Sequence, residues 1–385
     1  MKRARRIEAF RGTLPARLRA LLLSVFLVTG CVGEAPRAQE RGSGEPVADS
    51  HDLVHGFLHA AEAIRRHQRP AGYWETLVTP GPVFENVTSE VNVFTPAFLV
   101  DLLGPVARET GLTEVLERAR GYLRRQIEPT GLARYHGDPG RIDPAQLGCE
   151  LPPDADDTAL IWRIAPREDP TLRQAAQRIL AQYRTGAGLY RTWLADRRTY
   201  QCFYARFFPR DPNPPDVGIQ MHVYLFLATH DAGAAGRLCT ALRRRLSEDR
   251  IWVWYTRAPL LPLVLEVDLA RAGCGVRVPE RRLQTAVPGQ EAYMTQGRVF
   301  RDLLLSSDPR PFGDPALRTL RQLAAEGFAK LSQTPPLLYH NALSASPPHY
   351  HWSEDAGYAL WLRLYVETAR RSEGALPLPI RPVPP

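Results

Sequence analysis

The chain has 385 residues, 44% of them hydrophobic and 23% charged, with a formal net charge of +8. Those values describe a folded globular chain and exclude a disordered or low-complexity one. The first thirty residues hold seven basic residues and one acid, Glu8, so the remainder carries a net charge of only about +2 and gives no basis for nucleic-acid binding.

Taken in chain order, the first element is a basic leader from Lys2 to Arg19, followed by "ALLLSVFLVTG", an apolar run too short to span a bilayer comfortably. This order reads as an export signal. It closes on "VTGC", which resembles the bacterial lipoprotein signal, with Cys31 as the lipid-bearing residue and Val32 after it as in outer-membrane sorting. The expectation is a signal peptide over 1–30, a membrane contact through a lipid anchor on Cys31, and a body on the periplasmic face, at the outer membrane. Residues 31–50 are polar and rich in Gly, Pro and Ala, and read as a flexible tether. One domain is expected over 51–372, as a monomer, and a Pro-rich extended tail over 373–385.

The body repeats itself. A helical run closing on a glycine–aromatic turn occurs as "AIRRHQRPAGYW", "YLRRQIEPTGLARY" and "ILAQYRTGAGLYRTW", with Gly72, Gly131 and Gly188 spaced by 59 and 57 residues. Between these lie apolar runs led by a small polar or acidic residue, starting at Asn92, Asp154 and Asp216 with a constant interval of 62. Runs such as "VYLFLA" and "ALWLRLYV" are apolar all round and suit buried helices, whereas "LERARGYLRRQIE" is amphipathic and suits an outer one. Outer and inner helices alternating at a fixed period predict an all-α ring of about five to six helical hairpins, an α/α toroid with a central cavity, and no strand pattern of useful length competes.

Two motifs carry a family resemblance. "QRPAGYW" fits the QxxxGxW repeat of terpene cyclases through Gln68, Gly72 and Trp74, and "DADDTA" is similar to the DxDD motif of class II terpene cyclases. The repeat spans most of residues 51–370. The resemblance implies the α/α toroid that terpene cyclases share with protein prenyltransferase β subunits, and an isoprenoid or other apolar lipid as substrate. The prenyltransferase zinc pattern and the class I motif DDxxD are absent, so neither a metal nor another cofactor is expected.

The three aspartates Asp154, Asp156 and Asp157 admit two readings. An acid before a buried helix caps free N–H groups, and Asp154 with Asp157 three residues on is close to a capping box. Clustered carboxyls also raise one another's pKa, so one can stay protonated at neutral pH, as protonation of an alkene requires. The resemblance makes Asp156 the proton donor and Asp154 and Asp157 its tuning neighbours. Aromatic faces would stabilise a carbocation, and Trp74, Tyr135, Trp193, Tyr339, His340, His351 and Trp352 are the candidate substrate contacts. His222, inside "IQMHVYLF", reads as a satisfied core histidine. Two alternatives stay open: a carbohydrate hydrolase or lyase pairing Asp156 or Asp157 with Glu354, Asp355 or Glu75, and a non-catalytic lipid- or glycan-binding lipoprotein. Beyond Cys31, four cysteines in a disulfide-permissive setting are expected to pair as Cys149–Cys202 and Cys239–Cys274.

Overall fold

The computed structural model describes residues 50–137, 151–207, 213–308, 310–343, 347–371 and 376–379. The signal peptide, Cys31, Cys149, nearly all of the tether and the end of the tail lie outside them. The helices are α1 (Ser50–His67), α2 (Phe94–Leu103), α3 (Thr113–Arg125), α4 (Ala155–Ile164), α5 (Pro170–Gln182), α6 (Gln201–Phe207), α7 (Val217–His230), α8 (Ala232–Arg245), α9 (Leu260–Arg271), α10 (Glu291–Leu305), α11 (Arg310–Ala325), α12 (Ala329–Gln333) and α13 (Glu354–Arg371). Helices α2, α4, α7 and α9 bury nearly every residue, whereas α3 and α8 bury one apolar stripe and turn a row of arginines outward.

Packing order closes the ring. Helix α2 lies against α4, α4 against α7, α7 against α9, α9 against α10, and α13 against both α10 and α2. Outside this ring α3 backs α2, α8 backs α7, and α1 and α11 back α13. The architecture is the α/α toroid that the repeat implied, and its hydrophobic core runs continuously around the ring.

The glycine–aromatic repeat has a mechanical explanation. Gly72, Gly131 and Gly188 end their turns at φ of +102°, +84° and +84°, a region that costs any other residue strain. A Cβ would stand 2.5 Å from the Arg118 carbonyl oxygen at Gly72 and 2.4 Å from that of Leu172 at Gly131, so each turn presses its backbone against the next outer helix. Trp74 locks the first turn by donating from Nε1 to the Ile64 carbonyl at 2.9 Å, while Gln68 donates to Val115 O at 2.8 Å and accepts from Arg118 Nε at 2.9 Å.

The chain also forms a small antiparallel sheet that the sequence did not lead us to expect. Strands β1 (Thr76–Thr79), β2 (Thr88–Glu90), β3 (Leu337–Asn341) and β4 (His349–Trp352) are ordered β2-β1-β4-β3, with Thr79 opposite Tyr350 and Tyr339 opposite His351. Strands of three to five residues are too short to display a period of two. The sheet ties the two ends of the domain together: Trp352 Nε1 donates to Thr79 Oγ1, 273 residues away in sequence, at 2.8 Å. Cys239 of α8 is bonded to Cys274 beyond α9, with Cα atoms 5.7 Å apart. Cys202 is also disulfide-bonded.

Candidate active site

Helices α2, α4 and α7 begin at one cavity, lined by Phe94, Asp156 and Ile219 from their first turns. Asp154 precedes α4 in an extended conformation (φ −123°, ψ 163°), and its carboxylate accepts the Asp157 N–H at 2.7 Å. Asp216 does the same for α7, taking the Gly218 N–H at 2.9 Å on one oxygen. Its other oxygen takes the N–H groups of Val253 and Trp254 at 2.8 and 2.9 Å, which fastens the loop that carries Tyr255. Thr158 of α4 exchanges hydrogen bonds with the backbone of Ala133, and Gln220 of α7 with that of Tyr190, so these two inner helices hold the glycine–aromatic turns before them.

The cavity at this rim has a volume of about 110 Å³ and is partly open to solvent. Its wall is aromatic: Phe94 at the start of α2, Trp193, Trp254, Tyr255, Tyr135 and Tyr339. Phe94 meets Tyr339 edge to face at 5.2 Å, and Trp193 meets Trp254 the same way at 6.4 Å. Into this apolar space project Asp154, Asp156 and Asp157. Only Asp156 keeps appreciable side-chain exposure, 13%, while Asp154 and Asp157 are 4% and 2% exposed as residues.

Asp156 sits among groups that hold it protonated. Burial raises its pKa well above the usual carboxylate range, and the carboxyls of Asp154 and Asp216 raise it further. The Tyr255 hydroxyl donates to Oδ2 at 3.3 Å and works in the opposite direction. On the far side His222 Nε2 lies 3.7 Å from Oδ1, and among the described residues neither atom has a hydrogen-bond partner. Burial, and then the charge of Arg163, push the His222 pKa down to about 3, so this imidazole is neutral. Arg163 itself is held by both Asp101 oxygens, one at 2.6 Å, and stands 3.5 Å from His222 Nδ1.

The neighbouring carboxyls settle into different states. Asp157 is raised well above the normal range by burial and by Asp154 and Asp156. Burial lifts Asp154 to about 6, against hydrogen bonds from the Asp157 side chain and backbone. Asp216 is lifted by burial to about 7, against its backbone hydrogen bonds. At neutral pH the arrangement therefore offers carboxylic acids to an apolar space, with Asp156 the most accessible of the trio.

A second polar cluster lies at the sheet side of the same cavity. Glu90, at the end of β2, takes a hydrogen bond from the Tyr135 hydroxyl and another from Asn92 Nδ2 at 3.2 Å. His351 Nδ1 is 3.3 Å from the same carboxylate oxygen, off the ideal hydrogen-bond line. Burial raises the Glu90 pKa, but His351 and Tyr135 outweigh it and hold the group at about 2, ionised. The Tyr135 and Tyr339 hydroxyls bond to each other, and Tyr339 stacks on His351 at 4.3 Å.

Of the residues expected at a site, the structure brings Asp154, Asp156, Asp157, Tyr135, Trp193, Tyr339 and His351 to this one cavity. Trp74, His340 and Trp352 are not among its lining residues. Trp74 is buried in the turn lock described above. His340 and Trp352 face the opposite side of the sheet from Tyr339 and His351, because successive strand residues alternate. There His340 Nδ1 meets the Trp254 carbonyl at 2.9 Å. Glu75, Glu354 and Asp355 line a separate pocket with Arg66 and His67, so the carboxylate pairs a glycosidase would require do not share a cavity. Sequence reasoning placed Tyr255 among the loop aromatics but missed its hydrogen bond to Asp156, and it missed Glu90 and the placement of His222 beside Asp156. The 99-residue separation of Tyr255 from Asp156 leaves no local signal. Among the described residues no cluster of His, Cys, Asp and Glu is arranged to hold a metal, and no helix is long and apolar enough to cross a membrane.

Ring and site together define a terpene cyclase-like α/α toroid. One solved structure agrees in fold: a variant of the type II terpene cyclase MstE from Scytonema superposes with a TM-score of 0.51 at 13% identity, covering 83% of this chain and 97% of that one. A second MstE structure, in complex with its substrate geranylgeranyl dihydroxybenzoate, gives 0.44 at 14% identity, covering 84% and 99%. A protein from Actinoplanes gives 0.46 at 16% identity, covering 82% and 99%. No protein-family profile matches the chain, and no curated protein matches it at a significant level.

Proposed function

We propose that this protein is a proton-initiated cyclase acting on an isoprenoid or another apolar, alkene-bearing lipid, with Asp156 as the acid. One observation carries the reading: a buried carboxyl, held protonated by burial and by the neighbouring Asp154 and Asp216, projects into an aromatic cavity. The likeness of fold to a type II terpene cyclase supports it.

In this mechanism the Asp156 proton goes to one carbon of a double bond, whose π pair forms the new C–H bond. A cation is left on the other carbon and Asp156 is left as carboxylate. The faces of Phe94, Trp193, Trp254 and Tyr255 stabilise positive charge without donating a lone pair to it. A second double bond of the same molecule attacks the cation and closes a ring. Loss of a proton from carbon ends the sequence, and Asp156 is reprotonated before the next turnover. His222, neutral and 3.7 Å from Asp156, adds no positive charge that would draw the donor's proton away.

Asp156→Asn tests this directly. It keeps the shape and removes the transferable proton, so product formation from polyprenyl lipids should fall at least about 100-fold while the helical melting curve remains. Retention of full turnover in that variant would refute the acid assignment. The proposal also includes the lipoprotein reading, with Cys31 acylated and the toroid tethered outside the cytoplasm. Fatty-acid labelling should mark the wild-type chain and not Cys31→Ser; label on both, or on neither, sinks it.

A further inference from the structure

The sheet side of the cavity has a hydrogen-bonding polarity that the protonation step does not use. Tyr135 has one hydroxyl hydrogen, and it goes to Glu90. The same oxygen accepts from Asn92 Nδ2 at 2.8 Å. In the hydrogen bond between the two tyrosines the hydrogen must therefore come from Tyr339. Both phenols are raised well above their ordinary range, chiefly by burial, and stay neutral. With its own hydrogen turned toward Tyr135, the Tyr339 oxygen presents only lone pairs to the cavity it lines. Behind it stands the ionised Glu90. Among the described lining residues there are three carboxyls, no arginine or lysine, and one imidazole, His351, which lies 3.3 Å from Glu90 and is paired with it. Arg163, the cation nearest the acid, is already held by Asp101.

We propose that the Glu90–Tyr135–Tyr339 cluster is a head-group subsite that selects a lipid ending in an uncharged hydrogen-bond donor, an alcohol or a phenol, and rejects a diphosphate. The inference rests on the cyclase reading, because it names the substrate class of the same cavity. A hydroxyl donates to the free Tyr339 lone pair and meets no opposing charge. A diphosphate brings acceptors alone and several negative charges to the Tyr339 lone pair, with the ionised Glu90 behind it. It would face an unmatched lone pair and repulsion from Glu90 in a region of low dielectric.

The experiment is a binding comparison on the full chain carrying Asp156→Asn, which holds the probes unconverted. Quenching of tryptophan fluorescence would follow geranylgeraniol, geranylgeranyl diphosphate and the hydrocarbon of equal length that lacks the hydroxyl. Geranylgeraniol should bind at least about tenfold more tightly than the diphosphate, and several-fold more tightly than the hydrocarbon, the ratio expected of one net hydrogen bond. Tyr339→Phe should bring the alcohol-to-hydrocarbon ratio close to one. Glu90→Gln should restore part of the diphosphate's affinity. If Tyr339→Phe does not fold, the probe ranking and Glu90→Gln decide the matter.

Equal or tighter binding of the diphosphate, an alcohol preference that survives Tyr339→Phe, or no binding of any probe overturns the inference. Turnover by the chain with Asp156 intact is scored separately. Selective binding of the alcohol without Asp156-dependent product defeats the cyclase reading and leaves the subsite standing. Asp156-dependent cyclisation of the diphosphate does the reverse.

Discussion

Gly218 offers the most demanding test of how the donor is held. It lies in the first turn of α7, and a Cβ there would stand 2.2 Å from Tyr255 Cε2 and 2.7 Å from Cζ. The backbone at this position is ordinary, so Gly218→Ala adds no strain of its own and gains up to about 1 kcal/mol of helix propensity. The cost falls on Tyr255, which is only 2% exposed and has little room to give. To restore ordinary contact, which begins at 3.4 Å, the ring must retreat by about 1.2 Å. Overpacking of this kind costs about 1–3 kcal/mol. The balance is a net loss of about 0–3 kcal/mol, read as a fall of up to several degrees in melting temperature.

The same movement carries the Tyr255 hydroxyl away from Asp156 Oδ2, now 3.3 Å distant. That hydrogen bond lowers the Asp156 pKa, so its loss makes the donor a weaker acid and moves the alkaline limb of the turnover profile upward. Turnover should fall about tenfold or more. Tyr255→Phe separates the two effects, because it removes the hydroxyl and keeps the ring where it packs. The assay is product formation across pH, paired with thermal melts. A Gly218→Ala protein with wild-type melting temperature, turnover and pH profile would refute the reasoning.

Three further outcomes follow from the same structure. Burial raises Asp154, Asp156, Asp157, Asp216, Glu266 and Asp268, so between about pH 4 and pH 7 the folded chain binds more protons than the unfolded one, and stability falls as pH rises through that window; the depressed His222, His230 and His340 oppose this but are fewer. Thermal melts should therefore be lower at pH 8 than at pH 5, and a flat or rising trend contradicts the assignment. Gly131→Ala places a Cβ 2.4 Å from a backbone oxygen and should unfold the domain or cost well over about 2 kcal/mol, whereas Gly188→Ala, whose nearest neighbour is the Ala241 Cβ at 3.4 Å, should cost distinctly less in urea titrations. The Cys239–Cys274 bond spans 35 residues, and replacing both cysteines by serine should lower stability by about 3–4 kcal/mol; an unchanged urea midpoint would show that the bond contributes nothing.

How much of this was legible beforehand follows from the range of each signal. The toroid was readable because its repeat is written locally: a positive-φ glycine and a cap recur at intervals of about sixty residues, whatever the rest of the chain does. The cap was readable for the same reason: Asp154 caps α4 as its position before an apolar run implied. The sheet was hidden because β1 and β4 are short and join distant segments of chain. His222 was taken for a satisfied core residue because its sequence surroundings are uniformly apolar; only the three-dimensional packing of α4 on α7 puts it beside Asp156. Glu90 carries no motif at all. Its place depends on Tyr135 from one turn and His351 from a strand near the other end of the domain.

The direction of α4 has a consequence for the charge that a proton transfer leaves behind. Asp156 occupies the first turn, where the unpaired N–H groups give the helix end a partial positive charge of about half a unit. A neutral carboxyl barely responds to that field, whereas a carboxylate is stabilised by it. The helix therefore does little to the resting acid and much for its conjugate base, and the potential that holds the new anion acts without any side chain having to move. The ends of α2 and α7 face the same space, with Phe94 and Ile219 at its wall. In the proposed reaction a cation formed there would feel three positive poles behind it and one fresh negative charge beside it, an asymmetry that would draw it toward α4.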